Sequence, residues 1–278
     1  MRLAISNIAW DTIEDEVIAT LLDRFAIDAI DVAPAKYFPD PTKTKESDIV
    51  RVKNWWSEHG IEIIGMQALL FGTRGLNLFG PAKVQDVMLK HLDSVCRIGA
   101  GLGAKKLVFG SPKNRDRLGL SDQETIDLAV SFFRRLGDIA QSYGVIFCLE
   151  PNPTCYGANF MTTSTETLQI IKQIDHLAVK MQLDTGANTI NREDHASILG
   201  AGAALIGHVH ASEPDLLPLG DGGTDHDKVV QALKQYLPNQ NVSIEMIATN
   251  NEPHAVSIER ALKVAITFYR INEGSSRI

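Results

Sequence analysis

Four side chains able to bind a metal stand at the ends of four apolar runs. Glu150 closes Val145-Ile-Phe-Cys-Leu-Glu150, and Pro151 then removes a ladder donor. Asp184 closes Val179-Lys-Met-Gln-Leu-Asp184, ahead of Thr-Gly. His210 closes Leu205-Ile-Gly-His-Val-His210, and Glu245 closes Asn241-Val-Ser-Ile-Glu245. The intervals between them, 34, 26 and 35 residues (150 to 184, 184 to 210, 210 to 245), each admit one loop, one helix and one strand. A carboxylate at a strand end commonly caps a helix or pairs with a surface cation. Such caps have no reason to recur at the same end of successive strands. The spacing predicts that the four converge at the C-terminal mouth of a parallel barrel. Three carboxylates and an imidazole suit one divalent cation. Carboxylates favour Mg²⁺ and Mn²⁺, and the imidazole shifts preference toward Mn²⁺, Co²⁺ or Zn²⁺.

The rest of the chain supplies elements to position such a set. Short β-branched runs alternate with longer amphipathic ones. Predicted strands are Leu3–Ile8, Ala29–Val32, Glu62–Leu69 and Lys106–Phe109, followed by the four runs above. Predicted helices are Ile13–Phe25, Ser47–His59, Val84–Gly99, Ser121–Tyr143, Ser164–Ile174, Asn191–Leu199, Asp225–Tyr236 and Ala255–Phe268. In the first helix Val17, Leu21, Leu22 and Phe25 share a face. Ser121-Asp-Gln-Glu124 reads as a capping box, Gly60 and Gly144 as stops, and Gly99, Gly101 and Gly103 as another stop. Alternation of this kind argues for a parallel sheet, because each parallel crossover needs a covering helix. Eight units in 278 residues predict an α/β fold, an eight-fold parallel β/α (TIM) barrel forming a single domain over 1–278. No G-x-G-x-x-G follows the first strand, where an open dinucleotide fold would carry it. The tail Glu273–Ile278 is expected to fray.

Composition narrows the partners. A net charge of −7 argues against a general nucleic-acid binder, which needs a basic face. No apolar run approaches the roughly 20 residues of a membrane span. The chain opens directly on a strand, without a signal region, and its cysteines, Cys96, Cys148 and Cys155, show no paired spacing. These features predict a cytoplasmic protein with free thiols.

Five segments then carry a resemblance: Leu-Glu-Pro-Asn (149–152), Gln-Leu-Asp-Thr-Gly-Ala-Asn (182–188), His-Val-His-Ala-Ser-Glu (208–213), Gly-Asp-Gly-Gly-Thr-Asp (220–225) and Ser-Ile-Glu-Met (243–246). The chain resembles the sugar phosphate isomerase/epimerase family, with its xylose-isomerase-like barrel and its ketose 3-epimerases. The resemblance implies one divalent ion (Mn²⁺, Mg²⁺ or Co²⁺, with Zn²⁺ also admissible) on Glu150, Asp184, His210 and Glu245. It implies Glu150 and Glu245 as the acid/base pair, a small-molecule sugar or sugar phosphate as substrate, and a homodimer or homotetramer. The chemistry is coherent. A cation on two vicinal substrate oxygens stabilises an enediolate, and carboxylates on opposite faces remove and return a proton. Return to the same carbon gives epimerisation, and return to its neighbour gives aldose–ketose isomerisation.

Ketose epimerases usually carry His three residues after the metal-binding Asp, where this chain has Ala187. They also carry an Arg soon after the metal-binding His, and Ala-Ser-Glu-Pro-Asp-Leu-Leu-Pro (211–218) has none. The expected substrate therefore differs from the usual free ketose. An anionic group on it would be gripped by Lys113, Arg115 or Arg117, if these are not simply a solvated loop. Asn7, Gln67 and Asn152 suit sugar hydroxyls. His208 shares the face of His210, as core or as substrate contact, and Glu213 stands either near substrate or as a loop acid. Gly220, Gly222 and Gly223 form a phosphate turn or a tight entry to a helix. Trp10, Phe71 and Phe79 cover a sugar face or pack. Competing readings are a keto-inositol dehydratase-like lyase, an endonuclease IV-like hydrolase, which needs several more histidine ligands, and a non-catalytic barrel.

Overall fold

Each of the eight apolar runs forms a strand parallel to its neighbours. The strands are β1 (Leu3–Ser6), β2 (Ala29–Val32), β3 (Glu62–Met66), β4 (Lys106–Phe109), β5 (Ile146–Leu149), β6 (Val179–Asp184), β7 (Ile206–Ser212) and β8 (Val242–Glu245). They pair in sequence order, and β1 pairs with β8 to close the barrel. The computed structural model describes residues 1–270, so the tail expected to fray lies outside the described residues. Nearly every strand residue is buried, as expected where helices cover the outer face of a parallel sheet and side chains fill its interior.

The covering helices are α1 (Asp15–Arg24), α2 (Glu46–Glu58), α3 (Ala82–Leu102), α4 (Asp122–Ser142), α5 (Ser164–Ile174), α6 (Thr185–Asn191), α7 (His195–Gly202), α8 (His226–Tyr236) and α9 (His254–Tyr269). No described helix is long and apolar enough to cross a membrane.

Several boundaries depart from the sequence reading for local reasons. A 3-10 turn at Thr12–Glu14 resets the phase of α1. That helix buries Ile18, Ala19, Leu21 and Leu22 and leaves Val17 58% exposed. Helix α3 runs through Gly99 and Gly101 and stops only at Gly103, whose φ of 92° is left-handed. A Cβ on Gly101 would lie 2.7 Å from Ile49 Cγ2, so that glycine permits close packing of α3 on α2 and does not end the helix. The single helix expected at Asn191–Leu199 is two helices, because Asp184 caps α6 directly and left-handed Arg192 ends it. β1 ends at Ser6, where the chain enters a 3-10 turn, and β3 ends at Met66, before left-handed Ala68.

Two register shifts shape the interior. Ile30 pairs with Ile63 but Asp31 pairs with Gly65, so β3 carries an extra residue. Met181 pairs with Ile206 but Gln182 pairs with His208, so β7 carries one as well. Bulges of this kind re-aim side chains near functional sites. The second leaves Asp184 directly beside His210, and Ser212 beside Glu245. Gly207 lies in that bulge, and a Cβ there would meet Cys148 Sγ at 2.7 Å and Lys180 Cβ at 2.8 Å. Gly207→Ala should therefore cost about 1–3 kcal/mol by overpacking. Urea unfolding checks this: the midpoint should fall with the slope unchanged, and an unshifted midpoint would show that the bulge has slack.

Candidate metal centre

Glu150 directly follows β5, Asp184 and Glu245 are the last residues of β6 and β8, and His210 lies in β7. Their ligand atoms all lie within 4.8 Å of one another. His210 Nδ1 is 3.1 Å from Glu245 Oε2 and 3.7 Å from Glu150 Oε1. Each carboxylate is also held from outside the cluster. Gln67 Nε2 donates to Glu245 Oε1 at 2.5 Å, and Asn152 Nδ2 donates to Glu150 Oε2 at 3.1 Å. Asp184 accepts from Ala187 N at 2.6 Å and from Ser212 Oγ at 2.7 Å. Gly110 makes room for the set, since a Cβ there would lie 2.0 Å from Glu150 Oε2.

Charge is unbalanced in this cluster. Burial, then the charges of Glu245 and Glu150, push the Asp184 carboxyl well above its ordinary range. Burial opposes ionisation of Glu245 too, but His210 outweighs it and holds Glu245 below its usual value. Burial likewise works against the His210 imidazolium, yet Glu245, Asp31 and Glu150 raise it well above the usual histidine value. Three carboxylates, those of Asp184 and Glu245 buried and that of Glu150 partly so, thus face one imidazole. A divalent cation would supply the missing charge, and oxygens with one imidazole nitrogen form a donor set it accepts. Glu150 Oε1 is buried without a hydrogen-bond partner and is available as a ligand.

The remaining sequence candidates divide. Gln67 and Asn152 stand at the cluster. His208 lies beneath it, 2.7 Å from Asp31. Asn7 is fully buried and accepts from Ala33 N at 2.7 Å, tying the ends of β1 and β2 together. Glu213 is also buried, with its oxygens taken by His226 Nε2 (2.9 Å), Gly220 N (2.7 Å) and Thr224 N (2.8 Å). The glycine-rich turn thus spends two of its amides on Glu213, and Asp225 caps α8. Arg115 is 1% exposed and lies behind Asn152, bonding its Oδ1. Burial pushes its guanidinium down to about 10, so it stays charged at neutral pH. Lys113 is exposed, and Arg117 pairs with Asp122 at 2.5 Å. Trp10 packs edge-on against Trp56, Phe79 packs against Phe160, and Phe71 stays 77% exposed at the rim.

Two cavities meet at Glu150 and Glu245. One, of about 280 Å³, is walled by Ile8, Leu69, Leu70, Phe71, Val108 and Phe109, with Gln67 on its floor. The other, of about 410 Å³, is lined by Asn152, Tyr156, Asp184, Ala187 and Asp215. Leu216 borders both. It sits in a segment that spans the mouth. Asp215 N donates to Tyr156 Oη at 2.8 Å, while Leu216 O accepts from Ile247 N at 3.0 Å. Both residues are left-handed, with φ of 59° and 53°, a conformation that costs about 1–2 kcal/mol per residue.

Sequence reasoning missed Asp31, Gly110, Tyr156, Ser212 and Leu216. Asp31 alone carried a signal, a carboxylate inside the buried run Ala-Ile-Asp-Val (29–32). Ser212 depends on the register of β7, and the others on loop paths.

Comparison with known proteins agrees with this fold. A D-psicose 3-epimerase from Ruminiclostridium cellulolyticum is 27% identical over 117 residues, covering 42% of this chain and 40% of that protein, so the matched part is well under two thirds of the relative. A crystal structure of D-psicose 3-epimerase with D-tagatose from Clostridium cellulolyticum superposes with a TM-score of 0.78 at 18% identity, covering 97% of this chain and 98% of the other. A 3-keto-D-glucoside 4-epimerase from E. coli gives 0.76 at 17% identity, covering 95% and 99%. An IolI protein with a bound zinc atom gives 0.74 at 19% identity, covering 98% and 100%. Residues 20–268 match the family described as xylose isomerase-like TIM barrel, and with the barrel closed and its mouth so furnished, the chain belongs to that family.

Proposed function

We propose that this protein is a sugar isomerase or epimerase that depends on one divalent metal ion and works by proton transfer between two glutamates. The observation that carries the reading is the convergence of Glu150, Asp184, His210 and Glu245, with ligand atoms within 4.8 Å, beside cavities of sugar size. The names of the relatives, 3-epimerases and a ketoglucoside 4-epimerase, support the reaction class. The zinc of the IolI protein supports a divalent ion, with Mn²⁺, Mg²⁺ and Co²⁺ also suited to the donors.

When bound, the ion supplies Lewis-acid polarisation of the substrate carbonyl, which acidifies the adjacent C–H. Asp184 and His210 serve as ligands. One of Glu150 and Glu245 removes the proton, and the other returns it from the opposite face. Gln67 fixes Glu245 Oε1 and leaves Oε2 toward the cluster. Asn152 fixes Glu150, and Arg115 steadies Asn152 from behind while remaining within electrostatic reach of Glu150. No Lys or Arg lines either cavity, whereas Glu150, Asp184, Asp215 and Glu245 do. We therefore read the substrate as a neutral sugar, in place of the anionic one that the basic loop had suggested. Reprotonation, as opposed to loss of water, separates this reading from the lyase. Turnover in deuterated water should give an isomer of unchanged formula that carries label.

Glu150→Gln and Glu245→Gln keep side-chain size and a ligand oxygen but cannot exchange a proton. Each should bind metal and lose about 10²–10⁴-fold in turnover on the responsive member of a neutral-sugar panel. Near-normal turnover by either variant with metal bound would place the acid/base pair elsewhere.

Proton linkage offers a check without substrate. Asp184 and His210 have raised folded-state values, so between their unfolded values (about 3.9 and 6.5) and those raised values the folded chain holds more protons than the unfolded one. Stability of the metal-free protein should therefore fall as pH rises through this window. Mn²⁺ displaces those protons, so its affinity should rise with pH and its binding should release protons. Melting from pH 5 to 9 with and without Mn²⁺ tests both. Identical pH profiles in the two conditions would remove the metal from the cluster.

A further inference from the structure

Beneath the four proposed ligands lies a buried carboxylate that the proton transfer does not use. Asp31, on β2, is 1% exposed and reaches across the barrel interior to β7. Its Oδ2 lies 2.7 Å from His208 Nε2 and 3.6 Å from His210 Nε2. The two nitrogens of His210 therefore face different surroundings. Nδ1 points at Glu245 and Glu150, while Nε2 points at Asp31. That Nε2 is buried and lacks a hydrogen-bond partner at this separation, and so does Asp31 Oδ1.

The barrel is locally modified to admit this carboxylate. Asp31 pairs with Gly65 just past the bulge in β3. A Cβ at Gly65 would lie 2.3 Å from Asp31 Oδ1 and 2.9 Å from its Cγ, so no other residue type leaves Asp31 in place. Barrel interiors are ordinarily layers of branched aliphatic side chains, and an isolated carboxylate there costs several kcal/mol. A glycine, a bulge and two histidines arranged around one carboxylate call for a role beyond filling space.

We propose that Asp31 is the positioning residue of the metal centre. Standing 3.6 Å from His210 Nε2, it is placed to accept that nitrogen's proton when the ring ligates, which leaves the Nδ1 lone pair for the ion. The proposal rests on the metal-centre reading above. A neutral imidazole that ligates through one nitrogen carries its proton on the other, and a carboxylate acceptor both selects that tautomer and fixes the ring. His208 donates to the same oxygen at 2.7 Å. If holding His208 were the whole purpose of Asp31, removing His208 would disturb the centre as much as removing Asp31.

Two measurements decide it. In the wild-type protein loaded with Zn²⁺, ¹⁵N-histidine NMR should show His210 Nδ1 with a metal-bound shift and a slowly exchanging proton on Nε2. A metal-bound Nε2, or a freely exchanging proton, overturns the proposal without any variant having to fold. In calorimetry with Mn²⁺ alone, Asp31→Asn should weaken binding about 10–100-fold, the usual effect of losing such an outer partner. His208→Gln should stay near wild type, since Asp31 is then released to His210. Equal loss in both variants, or no loss in Asp31→Asn, overturns the role of Asp31 alone. Failure of the wild type to bind either Mn²⁺ or Zn²⁺ overturns the metal centre itself, and this proposal with it.

Discussion

Everything near the mouth answers to one repulsion. Glu150, Asp184 and Glu245 bring three carboxylates within 4.8 Å of each other and of His210, in a setting where water screens little. Without a cation, burial and the neighbouring carboxylates push the Asp184 carboxyl well above its ordinary range, and the same carboxylates raise the His210 imidazole. The surroundings are built to keep the carboxylates in place despite this. Gln67, Asn152, Ser212 and the Ala187 amide each donate one bond inward, and the donors come from four different strands or their loops. Gly110 contributes only space, which is what Glu150 requires. A site that crowds like charges at such cost to the apoprotein is organised for a ligand of opposite charge.

The barrel supplies this crowding without distorting its backbone at the ligands. Parallel strands present their last residues at one rim, so convergence needs only that each of four strands end on a suitable side chain. Finer alignment comes from two bulges. The one in β7 sets His210 beside Asp184, and the one in β3 sets Gly65 beside Asp31. Strain is stored away from the cluster, at Asp215 and Leu216, where a bond from Asp215 N to Tyr156 Oη and one from Ile247 N to Leu216 O hold a left-handed pair across the opening.

The strands and the convergence of Glu150, Asp184, His210 and Glu245 were legible because they depend on local pattern. A buried run that stops at a carboxylate is visible in Phe-Cys-Leu-Glu-Pro (147–151), and its recurrence at 184, 210 and 245 needed no tertiary knowledge. Helix phase was less legible. Val17 looked core-facing until the capped 3-10 turn at Thr12–Glu14 shifted the helix start. Gly99 and Gly101 looked like stops because a glycine that packs and a glycine that ends a helix are the same letter. The basic loop misled for a related reason. Lys113, Arg115 and Arg117 are close in sequence, yet one is exposed, one is buried behind Asn152 and one pairs with Asp122. Loop side chains have no period, so only the folded path tells which of them reaches the cavity.

The contrast between the two halves of the mouth bears on how such an enzyme acquires its substrate. Glu150, Asp184, His210 and Glu245 lie on strands or directly at their ends, where neighbouring backbones fix them. The positions that differ from the ketose-epimerase pattern, Ala187 and the stretch around Leu216, lie in the first turn of α6 and in the segment after β7. Loops tolerate substitution because few partners constrain them. Ala187 and Leu216 present apolar side chains to the cavity and leave the charge balance of the cluster untouched. The cluster at the strand ends and the apolar wall formed by Leu69, Leu70, Phe71 and Leu216 are therefore built from separate parts of the fold. A sugar hydroxyl turned toward that wall would lose its water partners without replacement, which disfavours fully hydroxylated groups in that half of the site.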